Sequence, residues 1–267
     1  MLKNLLIALF ILGSFSGRSQ ILVNTIPLGH DTCINKQFSI VFYIVLDSNY
    51  SVMSATQQTL DAIIDTLNAT FKPICVSFAS CSTVLIPNYP YNRWLKYTTD
   101  TVVTSNWYTD KTINFYIVDS VKDLPYTERG YGYAPPLPGN TPKDVIVMEQ
   151  LRFPLDFYHM MHNVGHFFGL SHTYDELAPT PPQSPGPPPL VDSQEFADGS
   201  NNTVHGDLLD DTEADPGPVP EEFDGKGDPY IRPLDNFMSF FVLGSRFSQR
   251  QMNLMAWYIL NRRLYLH

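Results

Sequence analysis

Cysteine is scarce in this chain, three in 267 residues, and basic side chains are few, 17 against 27 acidic ones. The shortage of Lys and Arg leaves a net charge of −10 and excludes nucleic acid as a partner, because phosphate binding needs a basic footprint. Past the N-terminus no apolar run approaches the length of a transmembrane helix, so no membrane span is expected. Three cysteines suit one bridge and one spare thiol. If Ile74, Val76 and Phe78 alternate as a strand, Cys75 and Cys81 stand about 20 Å apart along it, which leaves Cys33 as the partner of one of them.

What is present begins with a leader. Residues 1–19 carry Lys3, an apolar stretch from Leu5 to Leu12 and the small residues Ser14, Ser16, Gly17 and Ser19, the layout of a signal peptide cleaved after Ser16 or Ser19. The expected product is a secreted protein, extracellular or periplasmic, consisting of one domain over residues 20–267 and acting as a monomer. The stretch between the expected cleavage site and the first strand is short, so no pro-domain is expected. Sequons at Asn49, Asn68 and Asn201 matter only in a eukaryotic secretory pathway.

Along the domain, Phe38 to Leu46 is an apolar β-rich run, and Ser54 to Phe71 has helical spacing of Leu60, Ile63, Ile64 and Leu67. Further strands are predicted at Ile74–Ile86, Ile113–Val118 and Val145–Met148, with an edge strand in Gly130–Ala134. This order predicts a sheet supporting a helix, followed by a loop-rich half. Residues 178–190 are a Pro-rich surface loop, with seven prolines in the eleven residues from Pro179 to Pro189. The segment from Asp207 to Asp215 is dense in carboxylates, which suits either a hard cation or a solvated acidic loop. Ser248 and Gln251 have capping-box spacing ahead of a closing helix whose apolar face is Met252, Met255, Ile259 and Leu260.

One further absence falls on the chemistry. Residues 162–172 read His162-Asn163-Val164-Gly165-His166-Phe167-Phe168-Gly169-Leu170-Ser171-His172, the three-histidine zinc frame HExxHxxGxxH without its glutamate. At this chain's composition the three histidines and the glycine fall at these spacings by chance in roughly 3 chains in 10,000. On a helix His162 and His166 leave one face a turn apart and reach one ion. Gly169 permits the sharp turn that returns His172 as a third ligand. Pro154 suits the helix's first turn, and Phe157, Met161, Val164 and Phe168 give it an apolar face opposite the histidines. His159 fits no ligand spacing and reads as a supporting or ordinary helix histidine.

This frame, the strand and helix order before it, and Asp235-Asn236-Phe237-Met238-Ser239-Phe240 after it resemble the metzincin metalloproteases, and within that clan the pappalysin/cytophagalysin family. Supporting residues are His172-Thr173, Gly206-Asp207, Asp211-Thr212, Asp215-Pro216, Arg246-Phe247-Ser248 and Gln251. The resemblance covers roughly residues 38–260 and implies an α+β or α/β, metzincin-like zincin fold. In it a twisted, mostly parallel sheet carries the active-site helix, and a loop-rich C-terminal half is closed by a helix. It also implies zinc on His162, His166 and His172, Met238 in the Met-turn beneath the metal, and calcium at Asp207 and Asp211. Two positions depart from it: Asn163 stands where the family has its catalytic glutamate, and Phe240 where it usually has tyrosine.

A zinc peptidase needs a carboxylate to take a proton from water and deliver it to the leaving amine, and asparagine has no such protonation step near neutral pH. The expected function is therefore an exported zinc-binding pseudoprotease that holds a peptide or protein ligand in its cleft. The alternatives are an active zinc metalloendopeptidase using a substitute base, for instance Glu149 or a residue of the acidic loop, and a zinc-stabilised domain without a ligand.

Overall fold

A computed structural model describes residues 33–52, 55–122, 129–137, 139–149, 157–174, 195–217, 222–241 and 243–266. The segments expected to form the signal peptide (1–19) and the Pro-rich loop (178–190), and Pro154, lie outside the described residues.

The first apolar run forms β1 (Lys36–Val45). Phe38, Ile40, Phe42 and Ile44 enter one core while Val41, Tyr43 and Val45 enter another. A strand buried on both faces is apolar on both, which is why the run is unbroken from Ile40 to Val45. Helix α1 (Gln57–Phe71) follows, capped by Thr56, and buries Leu60, Ile63, Leu67 and Phe71. A short 3₁₀ turn, Lys72–Ile74, ends at Cys75 in the left-handed conformation (φ 56°). The next strand, β2 (Val76–Ile86), therefore starts two residues later than the alternation of Ile74, Val76 and Phe78 predicts. Cys75 at this corner is disulfide-bonded to Cys33, and Cys81 is free and exposed.

The remaining elements of the sheet half are β3 (Arg93–Leu95), α2 (Thr99–Asn106), β4 (Ile113–Val118), β5 (Ser120–Lys122), β6 (Gly130–Gly132) and β7 (Val145–Glu149). The main sheet has the order β2-β1-β4-β7-β6, all parallel except β6, which runs antiparallel to β7. The β3–β5 pair and α2 were not foreseen. The two strands have three residues each, and α2 is about two turns of polar, Thr-rich helix without an apolar period.

Both sheet edges carry specific devices. At the β2 edge the Asn68 amide donates to the Phe78 carbonyl (3.1 Å) and accepts from the Phe78 N–H (2.7 Å), so a side chain blocks further strand pairing there. At the β6 edge, the Arg129 carbonyl and the Tyr133 N–H bond to β7 (2.9 and 3.1 Å), so the alternating backbone groups of Gly130 and Gly132 point away from the sheet.

The metal helix, α3 (Phe157–Phe167), packs on the sheet, and Met161, Val164 and Phe168 are buried as its apolar spacing predicts. From residue 195 to 248 the described chain is turns and isolated bridges, and α4 (Gln249–Arg262) closes it with the expected Ser248–Gln251 capping box. The architecture is the metzincin-like α/β arrangement expected from the sequence. Among the described residues no helix is long and apolar enough to cross a membrane.

Candidate metal centre

The end of α3 determines where the ligands go. Gly169 N–H bonds to the His166 carbonyl (2.9 Å) and Leu170 N–H to the Gly165 carbonyl (2.9 Å), the paired bonds of a Schellman stop around a glycine at φ 96°. A side chain at 169 is doubly excluded, because its Cβ would lie 2.3 Å from the Tyr258 ring of α4. The chain doubles back at this stop and returns His172 to the face that carries His162 and His166.

The three Nε2 atoms form a nearly equilateral triangle, 3.1 Å from His162 to His172, 3.1 Å from His162 to His166 and 3.0 Å from His166 to His172. Tetrahedral zinc about 2.0–2.1 Å from each nitrogen would set them about 3.3 Å apart, so the trio is arranged for such an ion. The tautomers follow from the outer contacts. His162 Nδ1 donates to the Phe237 carbonyl (2.7 Å) and His166 Nδ1 to the Leu170 carbonyl (2.9 Å). Their Nε2 atoms then carry converging lone pairs at 3.1 Å, an arrangement that a shared cation relieves. Burial, with His166 and His172 beside it, holds the His162 imidazole well below its ordinary pKa and so in its neutral, ligating form. His162, His166 and His172 can bind a metal ion.

Met238 is fully buried against this helix. A Cβ on Gly165 would fall 2.5 Å from its sulfur, so an interior helix glycine makes room for the methionine below the ligands. That glycine is a signal the sequence analysis did not use. Asp215 ties the same turn to the third ligand: it accepts from Thr173 Oγ1 (2.7 Å), Ser239 Oγ (2.8 Å) and the Gly217 N–H (2.9 Å).

Asn163 is 3% exposed and directs its amide nitrogen at Met148 Sδ (3.0 Å). It lies under β6, where a Cβ on Gly130 would come 3.0 Å from that nitrogen and one on Gly132 would strike the Asn163 carbonyl at 2.3 Å. The Gly-Tyr-Gly strand thus lets this edge, which no other strand among the described residues pairs with, lie directly on the helix. Glu149 follows Met148 in β7 and so points to the opposite face, where it accepts from the Val121 N–H (2.8 Å) and pairs with Arg129 (3.4 Å). It does not share the side of the sheet occupied by Asn163.

Phe240 is half-buried and meets the Tyr174 ring edge-on (5.9 Å), while Tyr174 lies flat on His172 (4.6 Å, 5°). His159 packs against Tyr158, whose hydroxyl donates to the Ser239 carbonyl (2.5 Å). The far end of the helix is gripped by Arg263, fully buried, which donates to the Phe167 carbonyl (2.8 Å) and the Tyr133 carbonyl (2.6 Å) and pairs with Asp144.

The acidic run divides. Asp207 is buried and accepts from the Leu209 N–H (3.0 Å), Thr212 Oγ1 (2.9 Å) and Gln251 Nε2 (3.4 Å). Asp211 instead caps α4, accepting from Ser248 Oγ (2.7 Å) and the Arg250 N–H (2.8 Å). The sequence analysis missed Glu195, which is 5% exposed and has neither carboxylate oxygen hydrogen-bonded among the described residues. Burial first, then Asp207 and Asp215, push its pKa up to about 8, and burial pushes that of Asp207 up to about 7. Gly206 (φ 67°) approaches it so closely that a Cβ there would fall 2.2 Å from Glu195 Oε2.

Models of protein families gave no match to this chain, and neither did curated proteins compared by sequence. Among solved structures it is similar to mature mirolysin of Tannerella forsythia in complex with a cleaved peptide, at TM-score 0.56 and 15% identity, over 85% of this chain and 91% of that one. It is also similar to a mutant of Tannerella forsythia promirolysin, at TM-score 0.58 and 14% identity, over 94% and 88% of the two chains. At these identities the likeness concerns the fold.

Proposed function

We propose that this chain is an exported, zinc-binding, metzincin-like pseudoprotease that holds a peptide in the cleft between its metal and the open β6 edge. The observation that carries this reading is a complete histidine tripod with an amide, buried and turned toward Met148, at the position of the general base. Bound zinc supplies Lewis acidity at the three histidines. The residues around it do the rest: Phe237 and Leu170 orient two ligands, Met238 fills the floor, and Asn163 holds neither a proton to give nor a site to take one at neutral pH. A positioned acid/base is worth about 10²–10⁴-fold in rate, so efficient hydrolysis is not expected of this site. Phe240 removes a hydroxyl as well, the group that would contact a developing oxyanion.

The peptide is suggested by the outward backbone groups of Gly130 and Gly132, which suit addition of an extended strand, and by mirolysin's complex with a cleaved peptide. Glu149 on the opposite face offers no support to a substitute-base enzyme.

The Cys33–Cys75 bridge fits an oxidising compartment, and residues 1–19 serve as the signal peptide of a monomeric domain spanning 20–267. A second, structural cation, calcium, belongs at Asp207 with Glu195 rather than Asp211 beside it, because the oxygens of Glu195 are buried without partners among the described residues.

The deciding experiment is metal analysis combined with a peptidase assay on the purified protein. One zinc per chain with background hydrolysis supports the reading; robust, chelator-sensitive hydrolysis by the wild type overturns the pseudoprotease half, and absence of zinc after loading overturns the metal half.

A further inference from the structure

We propose that Asp100 is a positioning residue for the bound peptide: through Tyr131 it fixes β6 at the height from which Gly130 and Gly132 meet an added strand. This rests on the peptide cleft argued above. β6 is a three-residue strand with glycine at both ends, so a single side chain is left to hold it. Its near face has no room for another, because a Cβ on Gly130 would lie 2.2 Å from the Val147 carbonyl and one on Gly132 would lie 2.3 Å from the Asn163 carbonyl. Tyr131 turns to the far face, where it is 5% exposed and joins a core with Trp94, Val103 and Tyr116. Its hydroxyl donates to Asp100 Oδ2 (2.6 Å) and accepts from Trp94 Nε1 (2.7 Å).

Asp100 is fully buried and gathers more than this one bond. It accepts from the Tyr133 hydroxyl (3.1 Å) and pairs with Lys143, which also donates to that hydroxyl (2.9 Å). One carboxylate thus holds both tyrosines of the edge segment, and a bond to an ionised acceptor is about twice as strong as a neutral pair. Of the eight residues of α2 only Thr99, Asp100 and Val103 are buried, so the helix meets the body of the protein chiefly at this point. The side-chain bonds of Asp100 run to β6, to Tyr133 and to the segment before β7; among the described residues none runs to α3, which carries His162 and His166. Loosening this clamp should therefore free the edge strand without moving the metal ligands. A peptide that adds to a strand already fixed in place avoids the entropy cost of ordering it.

The test compares three probes on the zinc-loaded mature protein. Acetohydroxamate reads the metal alone. Acetyl-trialanine hydroxamate adds an extended backbone, and its N-methylated analogue keeps the group at the metal but lacks the N–H groups that the carbonyls of an edge strand accept. The wild type should prefer the unmethylated peptide by about tenfold, and Tyr131→Phe should cut that preference to about threefold or less with acetohydroxamate binding unchanged. Tyr133→Phe, at a half-buried position, should act in the same sense and carries the test if Tyr131→Phe does not fold. Asp100→Asn, which keeps an acceptor and loses the charge, should lower the preference less than Tyr131→Phe. Val103→Ala takes volume from the same core but no hydrogen-bonding group, and should leave the preference intact. In metal-free protein the Tyr133 amide, which donates to the Val145 carbonyl (3.1 Å), should exchange with solvent faster in Tyr131→Phe than in Val103→Ala. An undiminished preference in both tyrosine variants, an equal loss in Val103→Ala, or equal exchange in Tyr131→Phe and Val103→Ala overturns the role of Asp100. Acetohydroxamate binding by a wild type with no preference between the peptides means that the edge-strand reading is wrong, and failure of acetohydroxamate to bind means that the zinc cleft is; in either case the present proposal falls with it.

Discussion

The histidine tripod and the pocket of buried carboxylates, Glu195 and Asp207, both bring ionisable side chains together, but they differ in charge. The tripod is built from neutral imidazoles, two of them oriented by backbone carbonyls, so its empty form meets only the mild conflict of converging lone pairs. The pocket holds two buried carboxylates, Glu195 and Asp207, whose charge is unfavourable there without a cation. Metal should therefore govern ligand binding at the tripod, and the calcium proposed at Glu195 and Asp207 should act on stability.

The largest effect should come from restoring the missing base. Asn163→Glu is expected to raise peptidase activity by about 10²–10⁴-fold over a background wild type, and Phe240→Tyr added to it should raise activity further. A zinc-loaded but silent double variant would mean that the cleft has lost more than a proton carrier. At the tripod, His166→Ala should abolish stoichiometric zinc, measured by metal analysis, while the fold survives. Zinc retained at one per chain in that variant would remove the ion from these histidines.

Packing supplies the next largest effect. In Gly130→Ala the new methyl would lie 2.2 Å from the Val147 carbonyl, a backbone atom that cannot swing aside. A loss of about 1–3 kcal/mol in denaturant unfolding is expected, with weaker peptide binding as β6 lifts from α3. A neutral substitution would show that the edge strand does not depend on contact with the helix.

The smallest effect is a dependence on pH that reports the second site. The pKa of Glu195 is raised in the folded protein to about 8, from about 4.3 in an unfolded chain. The folded state therefore binds the extra proton, and this group favours folding least once it is ionised. In cation-free protein its contribution should decline as pH rises from about 4.3 to about 8 and stay level above that, with Asp207 acting in the same sense up to about 7. Calcium should raise the melting temperature more at pH 8 than at pH 5, and Glu195→Gln should flatten that difference. A melting curve indifferent to millimolar calcium at pH 8 would count against a cation in this pocket.

The sequence by itself determined the parts whose geometry is local. His162 and His166 share a face because they are four residues apart on a helix. Gly169 marks the stop, and Ser248 with Gln251 caps α4 three residues apart; each is settled within a turn or two of chain. The β-rich apolar run from Phe38 to Leu46 likewise announced a strand. Tertiary structure alone decided what depends on distant partners: which cysteine Cys33 joins, that Asp211 turns to a helix end while Glu195 sits beside Asp207, and that Tyr174 lies on a metal ligand. Pairings across 42 residues of chain, or between the two halves of the molecule, have no period to read, because they arise only when packing brings otherwise ordinary residues within a few ångströms.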